Sequence, residues 1–233
     1  MFLTKMPINR RRRAAGKLLS YPQAMHAAVE SCFPPGALES AGGRALWRLD
    51  TASGTSERST GPETNLYIVS PLEPDLSHIV EQVGWQTGSM WQTRDYRPLL
   101  DDLEPGRRYA FRLRANPVKS VRPNTSVDTK LAALRAVVSQ EEWLIKRSAE
   151  CGFTVPKSPE GGLSLRVVER GTMRFGKGGY GERSRAQVTL GYATFEGVLE
   201  VENDELLRSA LLNGIGRAKA YGCGLMTLAP PRR

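Results

Sequence analysis

Apolar positions in the first hundred residues recur with the periods of short strands and helices. The segment FLTKMPI at 2–8 predicts a strand, and the arginine-rich stretch at 9–17 predicts a basic, mobile loop. Ser20 and Pro22 mark the start of a helix that ends before Pro34, because proline is tolerated only in a first helical turn. Further strands are expected at 44–50, at 65–70 and within 86–100, with a short helix near 75–82.

The second half begins with the strand RYAFRLRA at 108–115, in which apolar residues alternate with arginines. This two-residue period predicts one face packed on the core and one cationic face. A helix is expected over 129–149, followed by a strand hairpin at 163–175 and 185–201 and a helix at 203–212. The residues of the first of these helices expected to face the core are Leu131, Leu134, Val138 and Leu144.

Both halves therefore show the element order β-α-β-β-α-β, which is that of the ferredoxin-like motif and of RRM domains. We expect an α+β fold of two tandem ferredoxin-like (RRM-like) domains, each an antiparallel sheet with helices on one face. The domains are expected at 1–95 and 105–233. No close sequence repeat accompanies them, so the duplication rests on element order alone.

Composition narrows the class of protein. The chain has 233 residues, and its apolar content of 40% is that of a folded protein. No apolar run approaches the roughly 20 residues that span a bilayer, and arginines occupy 10–13, where a secretory signal would be apolar. Three scattered cysteines have no metal-ligand spacing. We therefore expect a cytoplasmic protein with no membrane association, no metal and no cofactor.

The formal charge of +9 is unevenly distributed. Residues 1–20 carry six basic residues and no acidic one, whereas residues 39–106 are acidic overall. Three further basic blocks lie at 107–135, 166–185 and 217–233. They are either unrelated solvated surfaces or parts of one groove for a phosphate backbone, which the fold would assemble.

The C-terminal segment GIGRAKAYGCGLMTLAP at 214–230 places closely spaced glycines around two basic residues. Glycines allow backbone N–H groups to approach an anion, because no Cβ intervenes. A structural turn is the alternative explanation of such a cluster. The segment is neither a Rossmann fingerprint nor a Walker motif.

This segment, taken whole, resembles the C-terminal glycine-rich motif of the RAMP superfamily, and three other stretches resemble its CasE family. They are residues 2–8 with the helix that carries AMH at 24–26, YAFRLRANPVKS at 109–120 and FEGVLEV at 195–201, in the family's order. The resemblance covers nearly the whole chain and is weakest at 51–100 and 152–192.

The resemblance implies two ferredoxin-like domains and a metal-independent endoribonuclease. Members of the CasE family cut the precursor transcript of type I-E CRISPR systems beside each repeat hairpin and remain on the product as a Cascade subunit. The expected partners are therefore the CRISPR repeat hairpin RNA and the other Cascade subunits. We expect the free protein to be a monomer.

Cleavage of RNA by its own 2′-hydroxyl requires proton transfer, for which histidine is suited near neutral pH. The family's histidine on the first long helix corresponds to His26, whereas His78, in an acidic segment, is interpreted as structural. Some members have a tyrosine three residues before the histidine. That position is Gln23 here, so Tyr21 is the candidate second group, with N-terminal packing as its alternative role.

RNA binding is expected from three groups of residues. The first, on the basic hairpin, is Arg170, Arg174, Lys177, Arg183 and Arg185. The second is Arg112, Arg114, Lys119 and Arg122. The third is Gly214, Gly216, Arg217, Lys219, Gly222 and Gly224. Two alternatives remain: a non-catalytic RAMP-type scaffold that only holds guide RNA, and a generic RRM-like protein, which the missing run of paired aromatics disfavours.

Overall fold

The computed structural model describes residues 1–52, 63–86, 90–122, 130–176 and 187–231. These residues form two compact units. The first contains Met1–Asp101 together with Lys219–Gly222, and the second contains the other described residues from Asp102 onward. No helix in these ranges has the length and apolar character needed to cross a bilayer.

The first unit contains one four-stranded antiparallel sheet and its helices. Its elements are β1 (Phe2–Ile8), α1 (Arg13–Ser20), α2 (Pro22–Glu30), α3 (Ala37–Ser40), β2 (Leu46–Ala52), β3 (Glu63–Ser70), α4 (Ser77–Val83), β4 (Gln92–Asp95) and α5 (Arg97–Asp101). The strand order is β2-β3-β1-β4, with every neighbouring pair antiparallel. This is the order of a ferredoxin-like sheet.

The core of the first unit lies between one face of this sheet and helices α1, α2 and α4. Met6 of β1 and Ile68 of β3 are buried there against Met25 of α2 and Ile79 of α4. The strand residues alternate between buried and less buried positions, as the two-residue period predicts.

The prediction of a mobile loop over 9–17 is wrong from Arg13 onward, because α1 occupies Arg13–Ser20. Ala15 and Leu18 are buried and hold this helix against the core, whereas Lys17 faces solvent. The stretch is therefore a short amphipathic helix. The many basic residues around its two buried apolar side chains made the segment resemble a solvated loop.

The second unit is built around the central strands β5 and β10. Its elements are β5 (Arg108–Ala115), β6 (Val118–Val121), β7 (Lys130–Ala133), α6 (Val137–Glu150), β8 (Phe153–Thr154), β9 (Leu165–Gly176), β10 (Gln187–Val201), α7 (Asp204–Asn213) and β11 (Met226–Ala229). The order is β11-β5-β10, with β8 and β9 both paired along the outer edge of β10. A 3₁₀ turn (Lys219–Tyr221) precedes β11 and belongs to the first unit.

The helix expected over 129–149 begins later than predicted, and two of its core assignments are wrong. Residues Lys130–Ala133 form β7, which pairs with β6. Leu131 is 50% exposed and Val138 is 65% exposed, whereas Trp143 and Leu144 are buried. The leucines before the helix follow a helical spacing by coincidence, and the partner strand β6 determines their conformation.

The predicted fold class is confirmed. Pairing in each sheet is antiparallel, and the second unit has the ferredoxin-like strand order with the β6–β7 hairpin inserted between β5 and α6. The expected tip of the basic hairpin, which includes Lys177, Arg183 and Arg185, lies outside the described residues.

Candidate catalytic histidine and nucleic-acid interface

Helix α2 positions His26 at the edge of the first unit's core. Pro22 occupies the first turn, where its missing N–H leaves no bond unmade, and Met25 and Val29 are fully buried. His26 follows Met25 on the helix and is rotated away from the buried face. Its side chain is therefore only partly covered, with 36% of its surface exposed.

A carboxylate of its own helix lies near the ring of His26. Its Nδ1 lies 3.8 Å from Oε1 of Glu30, one turn further along α2. Nδ1 is buried and forms no hydrogen bond within the described part of the chain. The exposed part of the ring therefore does not include Nδ1.

Tyr21 lies at the junction of α1 and α2. Its carbonyl oxygen accepts hydrogen bonds from the N–H groups of Ala24, at 2.9 Å, and Met25, at 3.2 Å, so Tyr21 caps α2. Its side chain is 38% exposed, and its backbone is extended rather than helical. The phenol is therefore not confined to the helical position five residues before His26.

The second histidine has a defined structural contact. Nε2 of His78, on α4, donates a hydrogen bond of 3.0 Å to the carbonyl oxygen of Ala28 in the last turn of α2. Carbonyls at a helix end have no partner within the helix, so this bond satisfies one of them. His78 thus links α4 to the helix that carries His26.

Part of the glycine-rich segment packs beside the histidine helix. The 3₁₀ turn at Lys219–Tyr221 contacts α2 and β2 within the first unit. Lys219 and Tyr221 are both partly buried there. The sequence pattern did not identify Tyr221, because only the tertiary fold brings it near α2.

The glycines of this segment have structural roles. Gly214, Gly216, Gly222 and Gly224 all have positive φ, as does Ala218, at 61°. The N–H of Gly214 donates to Ala210, that of Gly222 to Lys219 and that of Gly224 to Arg114. These three N–H groups are already bonded within the chain. Their RNA-binding role stays a prediction.

The arginine face of β5 is interleaved with carboxylates from β10. Arg112 forms an ion pair with Glu196, which also binds Arg166 at 2.8 Å. The guanidinium of Arg114 lies 3.8 Å from the ring centroid of Tyr192. The charge of Arg112 is therefore balanced by a carboxylate, whereas Arg114 keeps its charge against an aromatic ring. Glu196 lies 84 residues after Arg112, so strand pairing rather than local sequence brings them together.

The other predicted binding residues are distributed over separate surfaces. Arg170 and Arg174 are exposed on β9, and Arg170 donates a 2.8 Å hydrogen bond to the carbonyl of Arg135. Ala193 of β10 lies opposite both Arg170 of β9 and Ala115 of β5. Because successive residues of a strand point to opposite faces, Arg170 and Arg114 lie on opposite faces of the sheet. The remaining exposed residues of the predicted set are Lys119, Arg122 and Arg217.

Two of the three cysteines are buried in the fold. Cys32 and Cys223 are buried free thiols, and burial raises the pKa of each to about 12. Both are therefore protonated near neutral pH and unreactive.

Comparison with known proteins shows similarity along the whole chain. A family model described as CRISPR associated protein matches residues 1–230. A CRISPR-associated endoribonuclease of Thermus thermophilus is 32% identical over 231 residues, covering 99% of this chain and 100% of that protein. The Cascade subunit CasE of Escherichia coli is 31% identical over 135 residues, covering 55% of this chain and 61% of the subunit. A structure of a Thermus thermophilus relative bound to an RNA representing a pre-cleavage complex has a TM-score of 0.74, with 29% identity and 98% of each chain covered.

Proposed function

Because the chain belongs to the CRISPR-associated protein family whose model matches residues 1–230, we propose that it is a metal-independent endoribonuclease. It binds the repeat stem-loop of CRISPR precursor RNA, cleaves beside the stem and stays bound as a Cascade subunit in the cytoplasm. The observation that carries this proposal is the full-length similarity to the Thermus thermophilus endoribonuclease, together with a partly exposed histidine on α2.

The proposed reaction uses the RNA's own 2′-hydroxyl. Its oxygen attacks the adjacent phosphorus as its proton leaves, the bond from phosphorus to the 5′-oxygen breaks, and the leaving oxygen takes a proton. The products are a 5′ fragment with a 2′,3′-cyclic phosphate and a 3′ fragment with a free 5′-hydroxyl. Nε2 of His26 transfers one of these protons, and the Tyr21 hydroxyl is the candidate for the second group.

We assign the two activities to the two predicted domains. Residues 1–95, which carry His26, cleave the RNA, and residues 105–233 make most of the contacts that bind it. Arg170 and Arg174 are exposed cations on β9, suited to the phosphates of a stem. Recognition of an A-form stem depends on shape and backbone, because its major groove is too narrow for side chains to read.

The test is incubation of the protein with its host's repeat RNA in EDTA. A 5′ fragment ending in a cyclic phosphate or 3′-phosphate supports the enzyme, whereas a hairpin that is tightly bound but uncut supports the non-catalytic scaffold. His26→Ala should slow cleavage by about 10²–10⁴-fold and leave affinity nearly unchanged, because proton transfer contributes a factor of that size. Ala27→Ser, an exposed change on the same helix, is the control. Equal loss of cleavage and binding in His26→Ala would mean that His26 is structural.

The binding half of the proposal has its own test. Reversing the charge of Arg170 and Arg174 should weaken binding before it affects the cleavage rate of bound RNA. If about six phosphates are neutralised, the slope of log K against log salt should be near −5. A flat salt dependence would contradict a phosphate-binding surface of this kind.

A further inference from the structure

The turn between β1 and α1 carries four consecutive arginines at 10–13 and has no role in the site described above. We propose that this basic turn, residues 9–13, and the outer face of α1 bind the RNA phosphates that flank the cleaved bond. The proposal rests on the endoribonuclease function and identifies a further part of its substrate-binding surface.

The basic turn is held in place by hydrogen bonds. The side-chain Oδ1 of Asn9 accepts from the N–H of Arg11 at 3.0 Å, and the carbonyl of Asn9 accepts from the N–H of Arg12 at 3.1 Å. The N–H of Asn9 donates to the carbonyl of Val83 at 2.8 Å, at the end of α4. The backbone of the turn is therefore fixed to the fold.

The Nε of Arg12 donates to the carbonyl of Gly84 at 3.3 Å. This bond directs one arginine toward the end of α4, while Arg10, Arg11 and Arg13 are exposed. Lys17, one helical turn after Arg13, is exposed as well, whereas Ala15 and Leu18 are buried on the opposite side of α1. The outward face of the turn and helix is thus basic.

Within the part of the chain that the structure describes, Arg10 and Arg13 are not paired with a carboxylate as Arg112 of β5 is. The first acidic residue in the chain is Glu30, and α4, which packs against α1, contributes only Glu81. Arg10 and Arg13 form no ion pair among the described residues. Exposed guanidinium groups without a carboxylate partner suit phosphate oxygens, which they can bind bidentately.

The position of the basic turn argues for RNA near the cleavage point. Helix α1 packs directly against α2, which carries His26. We place the phosphates next to the one at His26 along α1, because α1 is the helix that packs on α2. Because the turn is already ordered, binding there loses less conformational freedom than binding to a mobile arginine loop.

The experiment compares two double variants that each lower the formal charge by two. One is Arg10→Gln with Arg13→Gln, and the control is Arg44→Gln with Arg94→Gln, two exposed arginines elsewhere in the first unit. Affinity for repeat RNA that carries a 2′-deoxy nucleotide at the cut position is measured from low to high salt. Losing two phosphate contacts should reduce the salt slope by about 1.4–1.8 and weaken binding about 10- to 30-fold at 0.15 M salt. The control should change both quantities much less.

The outcomes separate this proposal from the proposed function. If the wild-type protein neither binds nor cuts the repeat RNA, the endoribonuclease function fails, and this inference fails with it. If the wild-type protein binds and cuts, but the two variants have equal slopes, this inference alone is overturned. A normal slope for RNA combined with lost binding to another Cascade subunit would assign the basic turn to an acidic protein surface and overturn it too. Melting temperatures of both variants check that each is folded.

Discussion

Replacing Gly222 with alanine tests whether the glycine-rich segment serves packing or nucleic-acid contact. Gly222 has φ of +74°, and a Cβ on it would lie 2.6–3.0 Å from three ring carbons of Trp47. Trp47 is only 3% exposed and belongs to the core of the first unit. The indole therefore has little room to retreat, and the added methyl group should strain both residues.

The expected loss of stability has two parts. A left-handed backbone costs an alanine about 1–2 kcal/mol, which the stiffer unfolded chain offsets by about 0.4–1 kcal/mol. Overpacking against Trp47 adds about 1–3 kcal/mol. Gly36→Ala is a matched control in the same unit, because Gly36 has φ of +73° and nothing within 4 Å of its added Cβ. The difference between the variants isolates the contact with Trp47.

Urea unfolding followed by tryptophan fluorescence measures the free energy of unfolding of both variants, and RNA affinity is measured where both are folded. Gly222→Ala should be about 1–3 kcal/mol less stable than Gly36→Ala, because only the former overpacks the core. Equal stabilities would refute the packing argument. A stable Gly222→Ala protein that no longer binds RNA would instead show that the glycine is needed for the nucleic acid.

Three further predictions follow from local contacts. Hydrogen bonds from Arg97 lower the pKa of Asp95 to about 2, so Arg97→Ala should raise that pKa toward 3.8 in a carboxyl NMR titration. The contribution of this pair to stability is present above pH 3.8 and is lost as the pH falls toward 2. Gly16→Ala, in the middle of α1 with open space around it, should stabilise the protein by about 0.5–1 kcal/mol in urea unfolding; destabilisation would contradict the helix there. His78→Ala should reduce stability by about 1 kcal/mol and slow cleavage, and His78→Gln should restore both by donating again to Ala28; failure of the rescue would contradict positioning of α2 through this bond.

The local sequence was sufficient to predict the regular strands and the family. The sequence predicts β1 and β5 with the bounds that the structure shows. In β5 the alternation at 108–115 indicates directly which side chains face the core. The resemblance to the CasE family is confirmed by the match over residues 1–230 and by the 32% identity to a full-length relative. His26 stays a prediction, although its partly exposed position beside the buried Met25 is compatible with it.

Predictions from local sequence were wrong where contacts with residues distant along the chain determine the structure. A run of four arginines indicated a mobile loop, but hydrogen bonds to Val83 and Gly84 order the turn and two buried side chains anchor α1. Leucines at helical spacing indicated a helix at 130–133, but pairing with β6 makes this segment a strand.

The sequence by itself determined the ferredoxin-like class, regular strands such as β1 and β5, and the residue types available for RNA cleavage, because these depend on neighbours along the chain. Only the tertiary structure decided which charges remain available for a ligand. Strand register placed Glu196 opposite Arg112, whereas packing left Arg10 and Arg13 exposed beside the histidine helix. Charge counted along a sequence does not reveal such pairing, since opposite charges neutralise each other through distances in space that the fold sets.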